Sequence, residues 1–142
     1  MTTLAELYSA LKYRVVVDPH SGARKYYNAL GRLHCEEGPA FVRADGTEEW
    51  WQNGQLHRED GPAVVDANGA SAWYQNGRLH REDGPAVVWP DSVSAWWFKG
   101  VRHRIGGAAV IYADGTCYWF LQGRELSEEE FDTARADTNK MM

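Results

Sequence analysis

A unit of 23 residues repeats along the chain, in which Gly-x-Leu-His-Arg-Glu-Asp-Gly-Pro-Ala-Val-Val precedes a turn and an aromatic pair. This period constrains the fold most, because so short a unit cannot bury its apolar residues alone and must stack on its neighbours. Four units are clear and a fifth is partial. Marker residues recur in ungapped register: His34, His57, His80 and His103; Gly38, Gly61, Gly84 and Gly107; Trp50, Trp73, Trp96 and Trp119. The pattern predicts an extended surface, which is typical of binding proteins.

Two short β-strands and two turns make up each unit, as the second unit shows most clearly. Residues 62–66 form a β-branched run that starts at a proline, and residues 71–75 form a second run. One Asn-Gly pair separates these runs and another follows the second, and such pairs favour tight hairpin turns. Residues 78–81 then run back toward the next Glu-Asp-Gly-Pro corner. The sequence therefore predicts an elongated antiparallel meander of hairpin repeats.

Short helices are expected to cap both ends of the array. At each end a Ser or Thr is followed three residues later by Glu, and this capping box begins a stretch with helical character. At the C-terminal end the pair is Ser127 and Glu130. The sequence predicts a single all-β domain over residues 1–142, with a helix over 3–12, β-repeats over 13–126 and a helix over 127–137.

The aromatic pairs predict two columns of rings. Successive side chains on a strand point to opposite faces, so one column comprises Trp50, Trp73, Trp96 and Trp119, and the other comprises Trp51, Tyr74, Trp97 and Phe120. We expect Leu33, Leu56 and Leu79 to fill the space between rings, which are about 9.5 Å apart on one face. If the second column stays exposed, it is a candidate partner-binding surface; alternatively, twist and the terminal helices bury both columns.

Composition excludes several classes of function. The net charge of −5 argues against binding to duplex nucleic acid, which needs many basic side chains. No apolar stretch is long enough to span a bilayer and no signal peptide is evident, so we expect an intracellular protein. Cys35 and Cys117 lie about 30 Å apart in the expected sheet, which predicts two free thiols.

The recurring histidines His34, His57, His80 and His103 are the most conspicuous candidate site. Equivalent histidines lie about 9.5 Å apart, too far for two to share one zinc ion, so we expect no metal and no cofactor. A hydrogen bond from each imidazole to a turn carbonyl or a carboxylate is the favoured interpretation, which makes these histidines structural, as are Trp50, Trp73, Trp96 and Trp119. No motif of a known catalytic site is present, so the chain is not expected to be an enzyme.

The fourth unit departs from the repeat. Lys99, Arg102, His103 and Arg104 form the chain's only local basic patch, and Ile105-Gly106 replaces the usual Glu-Asp pair. The patch is a candidate site for a phosphate or an acidic partner, although drift within a repeat array would produce the same irregularity.

The motif Trp-x-Asn-Gly-x-x-His, followed by Gly, a β-run and Asp-Gly, resembles the membrane occupation and recognition nexus (MORN) repeat over residues 27–126. It departs where Glu49-Trp50-Trp51 replaces the usual Tyr-x-Gly-x-Trp opening. The His-Arg-Glu-Asp-Gly-Pro-Ala variant resembles repeat proteins encoded by bacteriophages and large DNA viruses. The resemblance implies an elongated antiparallel sheet and an interaction role, and it identifies no substrate.

Three functions follow as hypotheses. The first is a non-enzymatic protein–protein interaction module, made by a phage to bind and inhibit a host protein of antiviral defence in the bacterial cytoplasm. The second is a binder of a nucleotide or another small anion, using Trp, His and Arg between repeats. The third and weakest is association with anionic lipid, which the acidic balance disfavours. Homo-oligomerisation is compatible with all three.

Overall fold

A computed structural model describes residue Thr3 and residues 12–140, and it shows a mostly β protein. Its strands are β1 Arg14–Val17, β2 Arg24–Tyr27, β3 Phe41–Val42, β4 Glu48–Glu49, β5 Trp51–Gln52, β6 Gln55–Leu56, β7 Val64–Val65, β8 Ser71–Ala72, β9 Tyr74–Gln75, β10 Arg78–Leu79, β11 Val87–Val88, β12 Ser94–Ala95, β13 Trp97–Phe98, β14 Val101–Arg102, β15 Val110–Ile111, β16 Cys117–Leu121 and β17 Arg124–Leu126. The helix α1, Glu128–Lys140, follows them. The N-terminal helix predicted over 3–12 lies almost entirely outside the described residues.

Eleven of these strands form one antiparallel sheet in the order β1-β2-β3-β4-β7-β8-β11-β12-β15-β16-β17. Each clear unit thus adds two strands, as in β7 and β8, where Val64 pairs with Ala72. The predicted antiparallel meander is confirmed. The remaining strands pair as three separate hairpins, β5–β6, β9–β10 and β13–β14.

The second strand is divided in the first three units, which the sequence pattern does not predict. Residues 71–75 were predicted as one run, but Trp73 separates β8 from β9. The N–H of Trp73 donates to the carbonyl of Ala86 in the following corner, and its carbonyl accepts from the N–H of His80. Trp119 has no complete unit after it, and it lies inside the uninterrupted strand β16. The next unit's corner therefore causes the division.

Small residues at the corners let the units pack closely. Ala40, Ala63, Ala86 and Ala109 occupy equivalent positions and are fully buried. One apolar cluster contains Ala95, Ala109, Val110 and Phe120 with Trp96 and Trp97 against it, and another contains Tyr13, Cys35 and Ala40. The core is thus divided among units, as stacking requires.

Helix α1 packs against β16 and β17 and buries Phe131. The predicted capping box is present: the Glu130 N–H donates to Ser127 Oγ, and the Ser127 N–H donates to Glu130 Oε1, both at 3.1 Å. The prediction of a C-terminal helix over 127–137 is confirmed, with the helix three residues longer at its end.

Candidate functional site

In three units the recurring arginine clamps its corner to the tryptophan of the preceding unit. A guanidinium lies over an indole ring at about 4 Å in three units: Arg58 over Trp50 at 4.0 Å, Arg81 over Trp73 at 4.1 Å and Arg104 over Trp96 at 3.9 Å. Each guanidinium also donates from Nη1 to the carbonyl of the residue four positions later, namely Pro62, Pro85 or Ala108. These arginines are therefore engaged in closing the corner, whereas the Glu and Asp side chains that follow Arg58 and Arg81 are exposed.

The recurring histidines connect one unit to the next. Each Nδ1 accepts a hydrogen bond from a backbone N–H 19 residues later: His34 from Asn53, His57 from Asn76 and His80 from Lys99 at 3.0 Å, and His103 from Gln122 at 2.9 Å. These donors are the first residues of the hairpin turns and have φ values of about 50°. Each Nδ1 therefore accepts from a turn N–H, a contact that the predicted hydrogen bond to a turn carbonyl or a carboxylate did not include. This contact supports the structural role predicted for the histidines.

The second imidazole nitrogen faces a carboxylate in the first three units. Nε2 lies 3.5 Å from Glu36 in His34, 3.6 Å from Glu59 in His57 and 3.7 Å from Glu82 in His80. Ile105 takes the place of that glutamate beside His103, and burial lowers the pKa of His103. The described residues contain no group of three or more His, Cys, Asp or Glu side chains that could hold a metal ion.

The first unit replaces the clamp with residues from the preceding segment. Cys35 stands where later units have arginine, and Tyr13 packs beside it. The Tyr13 hydroxyl donates to Glu37 at 2.7 Å and accepts from the Glu36 N–H at 3.0 Å. Lys12 pairs with Glu36, which raises the pKa of Lys12. Cys35 is a free thiol, as is Cys117, and burial raises the pKa of Cys35.

The second aromatic column is not an open surface. Trp51, Tyr74 and Trp97 are half-buried, and Phe120 is only 9% exposed within an apolar cluster. Phe120 therefore offers a partner very little contact area. The first column is likewise half-buried, including Trp119.

The basic patch is divided between two cavities. Arg102 is exposed, lies 5.3 Å from the ring centres of both Trp97 and Phe120, and lines a cavity of about 370 Å³. His103 and Arg104 are half-buried and line a different cleft. Lys99 is exposed, and its ammonium lies 5.3 Å from the Phe98 ring. Of the four residues, Arg102 is the one that combines exposure with a cavity.

Three exposed aromatic residues near Arg102 were missed from the sequence. Trp89 and Tyr112 line the same cavity as Arg102 and are 42% and 43% exposed. Tyr118 is 41% exposed, and its ring meets that of Tyr112 edge to face at 5.9 Å. We call Trp89, Tyr112, Tyr118 and Arg102 the aromatic surface.

A signal for this surface was present in the register of the repeat. Trp89 and Tyr112 occupy the position that holds Arg43 and Asp66 in earlier units, where the chain enters a turn. In these two units a large aromatic side chain thus replaces a charged one, and it is exposed. Comparing the positions that differ between units, rather than those that recur, would have identified Trp89 and Tyr112 as candidate binding residues.

A buried indole N–H lies close to this region. Trp51 Nε1 donates to Glu49 Oε2 at 3.3 Å. The equivalent atom two units later, Trp97 Nε1, is buried and has no hydrogen-bond partner among the described residues. Ala95 stands where the first unit has Glu49, so the acceptor is missing. A buried N–H group without an acceptor lowers the free energy of unfolding by about 1–3 kcal/mol.

A wider cleft of about 870 Å³ lies between the third and fourth corners. Glu82 and Asp83 form its acidic side, and Trp96, Phe98 and Ile105 form its apolar side. An equivalent cleft of about 700 Å³ between the first two corners has acidic residues on both sides. The replacement of Glu-Asp by Ile105-Gly106 makes the later cleft more apolar.

Comparison with protein-family models gives no match for this sequence, and comparison with curated proteins gives none either. Membership of the MORN-like family thus stays a prediction. In the part of the chain that the structure describes, no helix combines the length and apolar character needed to cross a bilayer.

Proposed function

We propose that this protein is a non-enzymatic protein–protein interaction module and that its aromatic surface binds the partner. The observation that supports this most is the grouping of exposed Trp89, Tyr112 and Tyr118 with exposed Arg102. Tryptophan, tyrosine and arginine dominate binding energy at protein interfaces. Arg58, Arg81 and Arg104 are engaged in corner clamps, whereas Arg102 is exposed and is available to a partner.

In its more specific form, the proposal is that the partner is a host protein inside a bacterial cell and that binding inhibits it. Support comes from the resemblance of the repeat to those of bacteriophage proteins. The acidic net charge suits a protein partner better than nucleic acid.

The test exchanges residues between units. Trp89→Asp and Tyr112→Arg install residues that other units carry at the same position, Asp66 and Arg43, so the turn is expected to form as before. Purified wild type and the double variant are used to retain proteins from host lysate, and any retained protein is purified and titrated calorimetrically. Exposed Leu30, just before the first unit, provides the control Leu30→Ala.

We expect wild type and Leu30→Ala to bind one host protein and the double variant to lose at least tenfold in affinity, since Trp and Tyr anchors each contribute about 1–2 kcal/mol or more. Equal binding by all three proteins would contradict the role of the aromatic surface. Absence of a bound host protein would contradict the host-inhibitor form.

A second candidate function is binding of a small anion, which the cavity beside Arg102 favours. At about 370 Å³ it lies within the range of ligand pockets, and Trp89 and Tyr112 offer rings for stacking. Nucleotides should then raise the melting temperature of wild type. Arg102→Leu, which restores the residue at the equivalent positions 33, 56 and 79, should abolish the shift. No shift with any nucleotide would exclude nucleotide binding.

A further inference from the structure

The first strand forms one edge of the eleven-stranded sheet and is unusually apolar for that position. Strand β1 pairs with β2 alone among the described residues. Its side chains Val15, Val16 and Val17 are 39%, 44% and 52% exposed. Exposed apolar edge strands are sites of strand-to-strand association, and proteins usually protect them with charges, prolines or a covering element.

The backbone groups on the open side of β1 can be assigned from its pairing with β2. The N–H of Asp18 donates to the carbonyl of Ala23 and its carbonyl accepts from Gly22, so the backbone of Asp18 faces β2. Backbone polar groups alternate in direction along a strand. Val16 therefore also faces β2, and the N–H and C=O groups of Val15 and Val17 face outward.

The charges at the two ends of β1 are opposite. Arg14 precedes the three valines, and Asp18 follows them. Asp18 Oδ1 accepts from the backbone N–H of His20 at 2.8 Å, which lowers the pKa of Asp18 and keeps the carboxylate charged at neutral pH. The segment Arg-Val-Val-Val-Asp is thus complementary to itself when read in the opposite direction.

We propose that two copies of this chain associate through antiparallel pairing of their β1 strands about a two-fold axis at Val16. In this register Val15 of each copy pairs with Val17 of the other, and these are the residues whose backbone groups face outward. About four backbone hydrogen bonds then surround the facing Val16 residues. Arg14 of each copy lies opposite Asp18 of the other, so charge and hydrogen-bond direction select the same register.

The occupant is a second copy rather than an unrelated strand because both features are self-complementary. A register shifted by one residue would place inward-facing backbone groups against outward-facing ones and would separate the charges. Isologous pairing of this kind closes at two copies, because each copy uses its β1 edge once.

Sedimentation equilibrium over a wide range of protein concentration tests the proposal. Since an edge pairing buries little area, the dimer is expected to be weak, and the mass should rise from 16.1 kDa toward twice that value at the highest concentrations. Val16→Lys places two ammonium groups face to face and should leave a monomer. Val101→Lys, at an exposed valine of strand β14, is the matched control and should dimerise like wild type.

A mixing experiment tests the register. Arg14→Glu and Asp18→Lys each create like-charge pairs at both ends and should be monomeric, whereas an equimolar mixture has opposite charges at both ends and should regain the dimer mass. Circular dichroism checks the fold of both variants, because Asp18→Lys also removes the turn hydrogen bond to His20. A wild type that stays monomeric, a Val16→Lys variant that still dimerises, or a folded mixture that stays monomeric would each overturn the proposal.

Discussion

The glycine at each corner gives the most direct test of the arginine clamp. A Cβ atom added at Gly84 would lie 2.8 Å from Arg81 Cζ, closer than side chains tolerate. Gly84 does not have the positive φ that would itself exclude alanine. The substitution Gly84→Ala therefore acts through Arg81, whose guanidinium must shift from its position over the Trp73 ring and beside the Pro85 carbonyl.

The expected cost follows from the contacts that Arg81 loses. A half-exposed cation–π contact contributes about 0.5–1 kcal/mol, and a hydrogen bond from a charged donor contributes about 1.5 kcal/mol. The ion pair with Asp83 is at the surface and adds little. Alanine offsets about 0.5 kcal/mol by restricting the unfolded chain. Gly84→Ala should thus lower the unfolding free energy by about 1.5–2 kcal/mol, and the melting temperature by about 5–6 °C.

Urea denaturation of a matched series measures this effect. Gly107→Ala should cost less, because the nearest guanidinium atom would be 3.3 Å from its Cβ. Gly38→Ala should cost nothing, since Cys35 replaces the arginine and, apart from its chain neighbours, the added Cβ would meet no atom of the described residues within 4 Å. In an Arg81→Ala background, Gly84→Ala should become neutral or stabilising. Equal costs at Gly38 and Gly84, or a cost that persists without Arg81, would refute the clamp.

Three further predictions concern single residues. Ser92 has a φ of 69° where other units have glycine. Ser92→Gly should therefore raise the free energy of unfolding by about 0.5–1 kcal/mol, and the melting temperature with it. A lower melting temperature would contradict this. Burial lowers the pKa of His103 from 6.5, so its contribution to stability is present above pH 6.5 and is lost as pH falls through the folded-state pKa. His103→Gln should therefore weaken the loss of melting temperature on acidification, and an unchanged pH profile would argue against it. Cys35 is buried with a raised pKa, so a thiol reagent should modify Cys117 first in the native protein and both thiols after denaturation; equal native rates would show that Cys35 is accessible.

The sequence predicted those parts of the fold that local chemistry determines. The repeat period gave the number of units, and Asn76-Gly77 forms a turn with φ values of 52° and 77°. Ser127 and Glu130 cap the C-terminal helix in the expected way. Each of these features depends on residues close together in the chain, so one unit contains the information required.

The division of the second strand depended on the next unit and could not be inferred from one unit alone. Residues 71–75 all favour a strand, and the interruption comes from the corner alanine of the following unit, Ala86, which accepts from the Trp73 N–H. The alternation rule held only within each half of the strand. For this reason the two predicted aromatic columns were not cleanly separated, and Trp96 and Trp97 pack against the same cluster.

The histidines and arginines that recur along the array are the most conspicuous residues of the sequence, and they contribute least to the aromatic surface. A residue that recurs in every unit makes a contact that every unit needs, and His80 and Arg81 are accordingly committed to the next turn and to their own corner. Their side chains cannot serve a partner without loosening the array. Residues that change from unit to unit do not make these shared contacts. Trp89 and Tyr112 are two such residues, and both are large, exposed and line one cavity. In an array of this kind, we therefore expect the residues that differ between units to determine which partner binds. The residues that recur in every unit are expected to stabilise the fold.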